Sequence, residues 1–163
     1  MGILADYFAA TPGQALTTVD AGPGDELRPL RPKFLEPFVL VGALWEVMRH
    51  GHLGSPRTGL HAGGERVDGN DDEGPYLIRL VSEFVTELAA LPDDRIDAVA
   101  AGWATAEEWM GEPELEIVAQ LVGELRRVAP SGDRRRGGVL LDLRLTGGWV
   151  RAHPPAGRRP RRR

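Results

Sequence analysis

Apolar side chains recur every three or four residues over long stretches of this chain, which is the periodicity of amphipathic helices. The clearest series steps by 4, 3, 4 and 3 positions through Leu77, Val81, Phe84, Leu88 and Leu91. Similar patterns, bounded by Pro and Gly, predict four main helices, near residues 37–50, 76–91, 94–110 and 113–129. We therefore expect an α+β fold in which helices dominate. The chain should form a single domain, because 163 residues are enough for one domain and too few for two ordinary ones.

Short elements are predicted around these helices. Strands are expected near residues 3–8 and 139–145, the second because Leu alternates there with charged residues. Thr11 followed by Pro12 predicts a helix start, since Thr can accept a hydrogen bond from the first turn and Pro lacks an N–H that would be unpaired there. Gly51 is expected to end the helix at 37–50. The globular domain is thus predicted to span residues 1–150.

The predicted core joins the apolar faces of these four helices. Trp45 and Trp103 lie on such faces and are expected to be buried. Trp109 follows Glu107 and Glu108, so an exposed indole beside acids is a candidate anchor for a protein partner. The other residues expected in the core are Leu40, Leu44, Leu77, Val81, Phe84, Leu88, Val118 and Leu121.

Two segments look unable to form a core. Residues 51–74 are polar and Gly-rich, a composition that favours a flexible, disordered loop. Residues 151–163, named here the Arg-rich segment, consist almost entirely of Arg, Pro, Gly and Ala and are predicted to form a disordered tail. Codons of a GC-rich genome also produce these residue types in several reading frames. An alternative is therefore that the Arg-rich segment arises from read-through or a frameshift and has no function.

Charge divides the chain into two parts. Residues 1–130 carry 10 basic and 22 acidic side chains, whereas residues 131–163 carry 10 Arg and two Asp. An acidic body suits a basic partner, because complementary charge speeds encounter. The body acids put forward for partner binding, besides Glu107 and Glu108, are Asp71 and Asp72. The Arg side chains put forward for nucleic acid are Arg158, Arg159, Arg161, Arg162 and Arg163.

No motif for catalysis, a cofactor or a metal stands out. The chain has no Cys, which excludes disulfides and thiolate chemistry. His50, His52 and His61 lie near Asp68, Asp71 and Asp72, but on a Gly-rich stretch with no scaffold to fix ligands. Ser55 lacks the strand–turn–helix context of a nucleophile. We therefore expect no metal, no cofactor and, on balance, no enzyme.

The absence of a secretion signal or membrane span predicts a cytoplasmic bacterial protein with no membrane contact.

The order of elements resembles the YfbM-like family of small bacterial proteins. The residues that carry the resemblance are Met1-Gly2, Tyr7-Phe8, Thr11-Pro12, the segment Phe38–Gly51, the helix Leu77–Leu91 with the break Leu91-Pro92-Asp93-Asp94, and Arg126-Arg127 before a strand. The resemblance implies an α+β fold in which the two chain ends pair in a small sheet. It also implies a binding protein of the immunity or antitoxin type, with no catalytic residues to transfer.

The leading functional prediction is a non-enzymatic interaction module whose acidic body binds a protein partner. The first alternative is a nucleic-acid-associated protein that acts through the Arg-rich segment. The second is an enzyme with an unrecognised site.

Overall fold

The chain folds into a four-stranded antiparallel sheet with helices on both faces. The computed structural model describes residues 4–32, 35, 38–54, 59–69, 76–109, 111–130 and 140–146. In chain order, the elements are β1 (Leu4–Ala10), α1 (Pro12–Ala21), α2 (Leu40–His50), β2 (Gly63–Gly69), β3 (Tyr76–Leu80), α3 (Ser82–Ala89), α4 (Ile96–Trp103), α5 (Leu115–Val128) and β4 (Leu140–Thr146). Short 3₁₀ turns lie at Asp25–Leu27 and Asp93–Arg95. The expected α+β class is confirmed.

The sheet brings together the two ends of the described chain. Its strand order is β1-β4-β3-β2, so the last strand lies between the first and the third. Leu4 is in register with Thr146 and Ala10 with Leu140, which confirms that the chain ends pair. On the outer side of β1, Tyr7 and Leu30 exchange two backbone hydrogen bonds of 2.8 Å.

Both faces of the sheet are covered, by unequal layers. The larger layer consists of α2 to α5 and packs on the face that carries Tyr7, Ile78 and Leu80. On the other face, α1 packs through Ala15 against a smaller cluster that includes Phe8 and Leu77. Trp45 and Trp103 are buried in the larger layer, as expected, with exposures of 5% and 0%.

The local signals at helix ends are confirmed. Thr11 caps α1 in a capping box, in which its Oγ1 accepts from the Gln14 backbone N–H and the Gln14 side chain accepts from the Thr11 N–H at 3.0 Å. Gly51 ends α2 with φ of 77°, a left-handed conformation that Gly adopts without the steric penalty of a Cβ.

The helix predicted at 76–91 is wrong in its first part. Residues Tyr76–Leu80 form β3, and α3 begins only at Ser82. Leu77 and Phe84 therefore lie in different clusters on opposite faces of the sheet, although their spacing fits one helix. Of the other residues expected in the core, Val81 and Leu121 are only partly buried. The remaining four, Leu40, Leu44, Leu88 and Val118, are buried in the larger layer.

Two further predictions need correction. The loop expected at 51–74 contains a strand, because Gly63–Gly69 pairs with β3 through an irregular register. The helix expected at 94–110 ends at Trp103, and residues 104–109 form turns instead. The prediction for the Arg-rich segment falls outside the described residues.

Candidate interaction surface

The connection between α4 and α5 is the most one-sidedly charged part of the described chain. The sequence has no Arg or Lys between Arg95 and Arg126. Five glutamates in this interval are exposed, namely Glu107, Glu108, Glu112, Glu114 and Glu116. The local potential is therefore negative.

Two aliphatic side chains lie exposed among these acids. Leu115 and Ile117, in the first turn of α5, are 57% and 58% exposed. Helical periodicity places them on either side of the buried stripe that begins at Val118. The segment that carries the exposed acids therefore also presents two exposed aliphatic side chains. We call these two residues and the five glutamates the α4–α5 surface.

The acids of this surface differ in what they do for the fold. Glu114 is the N-cap of α5 and Glu116 lies in its first turn, where negative charge stabilises the helix dipole. Glu107, Glu108 and Glu112 are exposed and precede the helix, so removing their charge leaves the interaction of Glu114 and Glu116 with the helix dipole in place.

Trp109, which follows Glu108 in the sequence, packs on Trp103. Its ring meets that of Trp103 edge to face, with centroids 5.0 Å apart, and its Nε1 donates to the Trp103 carbonyl oxygen at 2.9 Å. The indole is half-buried against the core and its N–H already has an acceptor. The ring is thus partly buried on Trp103, because the chain turns back after α4, and the role of Trp109 in partner binding stays a prediction.

The other residues put forward for partner or nucleic-acid binding lie outside the described residues. They are Asp71, Asp72, Arg158, Arg159, Arg161, Arg162 and Arg163. Glu107 and Glu108 are therefore the acids from the sequence prediction that the structure places, and it places both on the α4–α5 surface. Sequence reasoning missed Leu115 and Ile117, although two aliphatic residues alternating with Glu114 and Glu116 are a visible signal.

The three histidines are not arranged as a metal site. All three are exposed, and two have ring nitrogens near backbone carbonyl oxygens: His52 Nδ1 is 3.0 Å from the oxygen of His50, and His61 Nδ1 is 3.2 Å from that of Phe38. Within the described ranges, no three His, Asp or Glu residues lie close enough to hold a metal ion. The expectation that the protein needs no metal stays a prediction.

A shallow groove of about 360 Å³ lies beside the end of α1. Its hydroxyl groups already have partners, since Thr17 donates to the Gln14 carbonyl and Thr18 to the Ala15 carbonyl, both at 2.7 Å. The side-chain oxygen of Gln14 accepts from Thr11. These polar groups support α1 and do not form a base–nucleophile pair.

A charged cluster joins α2 to α3. Arg49 donates to both carboxylate oxygens of Glu87 at 3.0 Å from Nε, and its guanidinium lies 4.5 Å from the centre of the Trp45 ring. The Trp45 Nε1 also donates to Glu87, at 2.9 Å. The hydrogen bond from Arg49 lowers the pKa of Glu87 from 4.5, opposed by partial burial and assisted by Trp45. The cluster binds two helices together, and we assign it a structural role.

Within the described residues, no helix is both long and apolar enough to cross a membrane. Comparison with known proteins adds no relative, because no family model, no curated protein and no solved structure matches this chain. The resemblance to the YfbM-like family therefore stays a prediction.

Proposed function

We propose that this chain is a non-enzymatic protein-interaction module of the immunity or antitoxin type, and that it binds a basic protein through the α4–α5 surface. The observation that carries the proposal is the combination of two aliphatic residues, each more than half exposed, with five exposed glutamates. Apolar contact supplies affinity and the acids select a partner of positive charge.

The expected contribution of the two aliphatic residues follows from their exposure. Complete burial of a Leu or Ile side chain is worth about 1.5–3 kcal/mol relative to exposure. Since Leu115 and Ile117 expose 57% and 58% of their surface, a partner that covers both gains about 2–3 kcal/mol. That corresponds to roughly a 30- to 150-fold change in the dissociation constant.

The glutamates act mainly on the rate of association. Exposed charges are screened over about 10 Å at an ionic strength of 0.1 M, so their contribution falls as salt is added. A basic partner should bind faster at low salt, with a smaller effect of salt on its dissociation.

The test begins with identification of the partner by cross-linking in extracts of the native organism, followed by affinity measurements on the purified pair. The double variant Leu115→Ser, Ile117→Ser should weaken binding at least about tenfold. The matched control is Leu16→Ser, because Leu16 is 51% exposed on α1, across the sheet from α5. An equal loss in both variants, or none in the double variant, would contradict the proposal.

A second set of variants tests the charge. The triple variant Glu107→Gln, Glu108→Gln, Glu112→Gln should slow association and flatten its dependence on salt. Asp94→Asn with Asp97→Asn is the control, since both residues are exposed acids outside the α4–α5 surface. If the captured partner is RNA or DNA, and binding needs the Arg-rich segment but not Leu115 and Ile117, the nucleic-acid alternative replaces this proposal.

A further inference from the structure

The chain contains a segment whose chemistry complements the α4–α5 surface, and we infer that residues 151–163 dock on that surface and compete there with the basic partner. The inference rests on the proposed function, because both ligands use the same residues. The Arg-rich segment carries six Arg and no acid, whereas the described interval from Arg95 to Arg126 has no basic residue between its ends. The acidic body and the basic segment thus form a complementary pair within one molecule.

The residue types of the segment suit both parts of the surface. Each guanidinium can form two parallel hydrogen bonds to a carboxylate such as that of Glu107 or Glu112. The methylene stems of Arg and the rings of Pro154 and Pro155 provide apolar area for Leu115 and Ile117, because long cationic side chains cover apolar surface while the charge stays in water.

The chain is long enough for this contact within one molecule. Arg158 stands 12 positions after Thr146, the last residue of β4. An extended chain spans at most about 3.3–3.6 Å per residue, so this linker can reach about 40 Å. A folded chain of this size has a radius of gyration of about 15 Å, so the linker can span a distance comparable to the diameter of the fold.

Covalent linkage makes even a weak contact effective. A short linker holds its ligand at an effective concentration on the order of 1 mM, so a contact with a dissociation constant near 0.2 mM is occupied about five-sixths of the time. An external basic partner must then displace the segment, and its apparent affinity falls about sixfold.

The first test locates the segment in the full chain. Because the sequence has no Cys, Gly157→Cys gives a single attachment point for a nitroxide spin label. In low salt, the label should broaden the backbone amide signals of residues 107–117 more than those of α1. Added salt, about 0.5 M, should relieve the broadening, since it screens exposed charge. The triple variant Glu107→Lys, Glu108→Lys, Glu112→Lys should abolish it.

Two results of that experiment overturn the inference. One is broadening no stronger at residues 107–117 than at α1. The other is broadening that appears only when spin-labelled molecules are mixed with unlabelled, isotope-enriched molecules, because the segment then docks on a second copy and not on its own chain.

The second test measures competition with a synthetic peptide of residues 151–163 carrying a fluorescent label. It should bind about sixfold more tightly to a full chain in which the Arg residues at 158, 159 and 161–163 are replaced by Gln than to the wild-type chain. Equal binding to the two chains overturns the inference. The proposed function is judged separately, by the binding of the external partner to the Leu115→Ser, Ile117→Ser variant. If the external partner binds as proposed but the spin label causes no broadening at residues 107–117, the inference is wrong and the proposed function stands.

Discussion

Gly42 and Gly123 both lie within helices, and replacing each with Ala should change stability in opposite directions. Ala is favoured over Gly inside a helix by about 0.8–1 kcal/mol. A Cβ at Gly123, in α5, would have no atom within 4 Å other than its neighbours in the chain and the backbone of its own helix. Gly123→Ala should therefore stabilise the protein by close to the full helix preference.

At Gly42, in α2, the same change meets the neighbouring chain. A Cβ there would overlap the carbonyl oxygen of Leu60 and lie 3.5 Å from the Cα of His61. Both are backbone atoms, so the segment before β2 must move away from α2. Overpacking of this kind costs about 1–3 kcal/mol and sometimes more. After the gain in helix preference is subtracted, Gly42→Ala should destabilise the protein by up to about 2 kcal/mol.

The two variants are compared with the wild type by urea unfolding, followed by tryptophan fluorescence and by circular dichroism. The midpoints should move in opposite directions while the dependence on urea stays constant, which shows that stability alone has changed. If Gly42→Ala is as stable as Gly123→Ala, then Leu60 does not pack on α2, and the description of the segment that leads into β2 is wrong.

Three further predictions follow from the described contacts. Phe84→Ala should cost about 3–5 kcal/mol in urea unfolding, because Phe84 is fully buried and meets Trp45 edge to face, whereas Val39→Ala, at a residue 42% exposed, should cost little. Glu87→Gln should cost under about 1 kcal/mol at pH 7, and the difference from wild type should disappear as pH falls from 4.5 through the lowered pKa of Glu87; a constant difference across acidic pH would refute this. Elemental analysis of dialysed, tag-free protein should find no stoichiometric zinc, and bound zinc would direct attention to His50, His52 and His61.

Helix ends could be read from the sequence because their signals are local. At the start of α1, the side chains of Thr11 and Gln14 accept hydrogen bonds from nearby backbone N–H groups, and Pro12 has no N–H to pair. Gly51 ends α2 because a glycine can adopt the left-handed conformation found there. The strand pairing of the chain ends was expected only from the resemblance, since nothing in either strand specifies its partner.

Strands β2 and β3 could not be read in the same way. Both faces of β3 are covered, so Leu77, Ile78 and Leu80 are all buried and the alternation that marks a half-buried strand is lost. The side chain of Leu77 also falls in step with Phe84 and Leu88, which extends the helical pattern by chance. In β2, Gly63, Gly64 and Gly69 have low strand propensity, and pairing with β3 decides the outcome.

The interaction surface was predictable in its charge and not in its apolar residues. Glu107 and Glu108 stand out in any reading of the sequence, because no basic residue is near. Whether Trp109 or Leu115 carries the exposed apolar area depends on how the chain turns after Trp103, a tertiary contact that no local pattern encodes.

The central place of β4 has a consequence for synthesis on the ribosome. Ala10 finds its partner Leu140 only after 130 further residues have been made, and until then β1 and β3 each present an open strand edge toward the gap that β4 fills. Open edges invite pairing with other chains. Nascent chains that stall before residue 140 should therefore aggregate or recruit chaperones, and pairing of such distant residues is expected to make the completed protein a slow folder for its size.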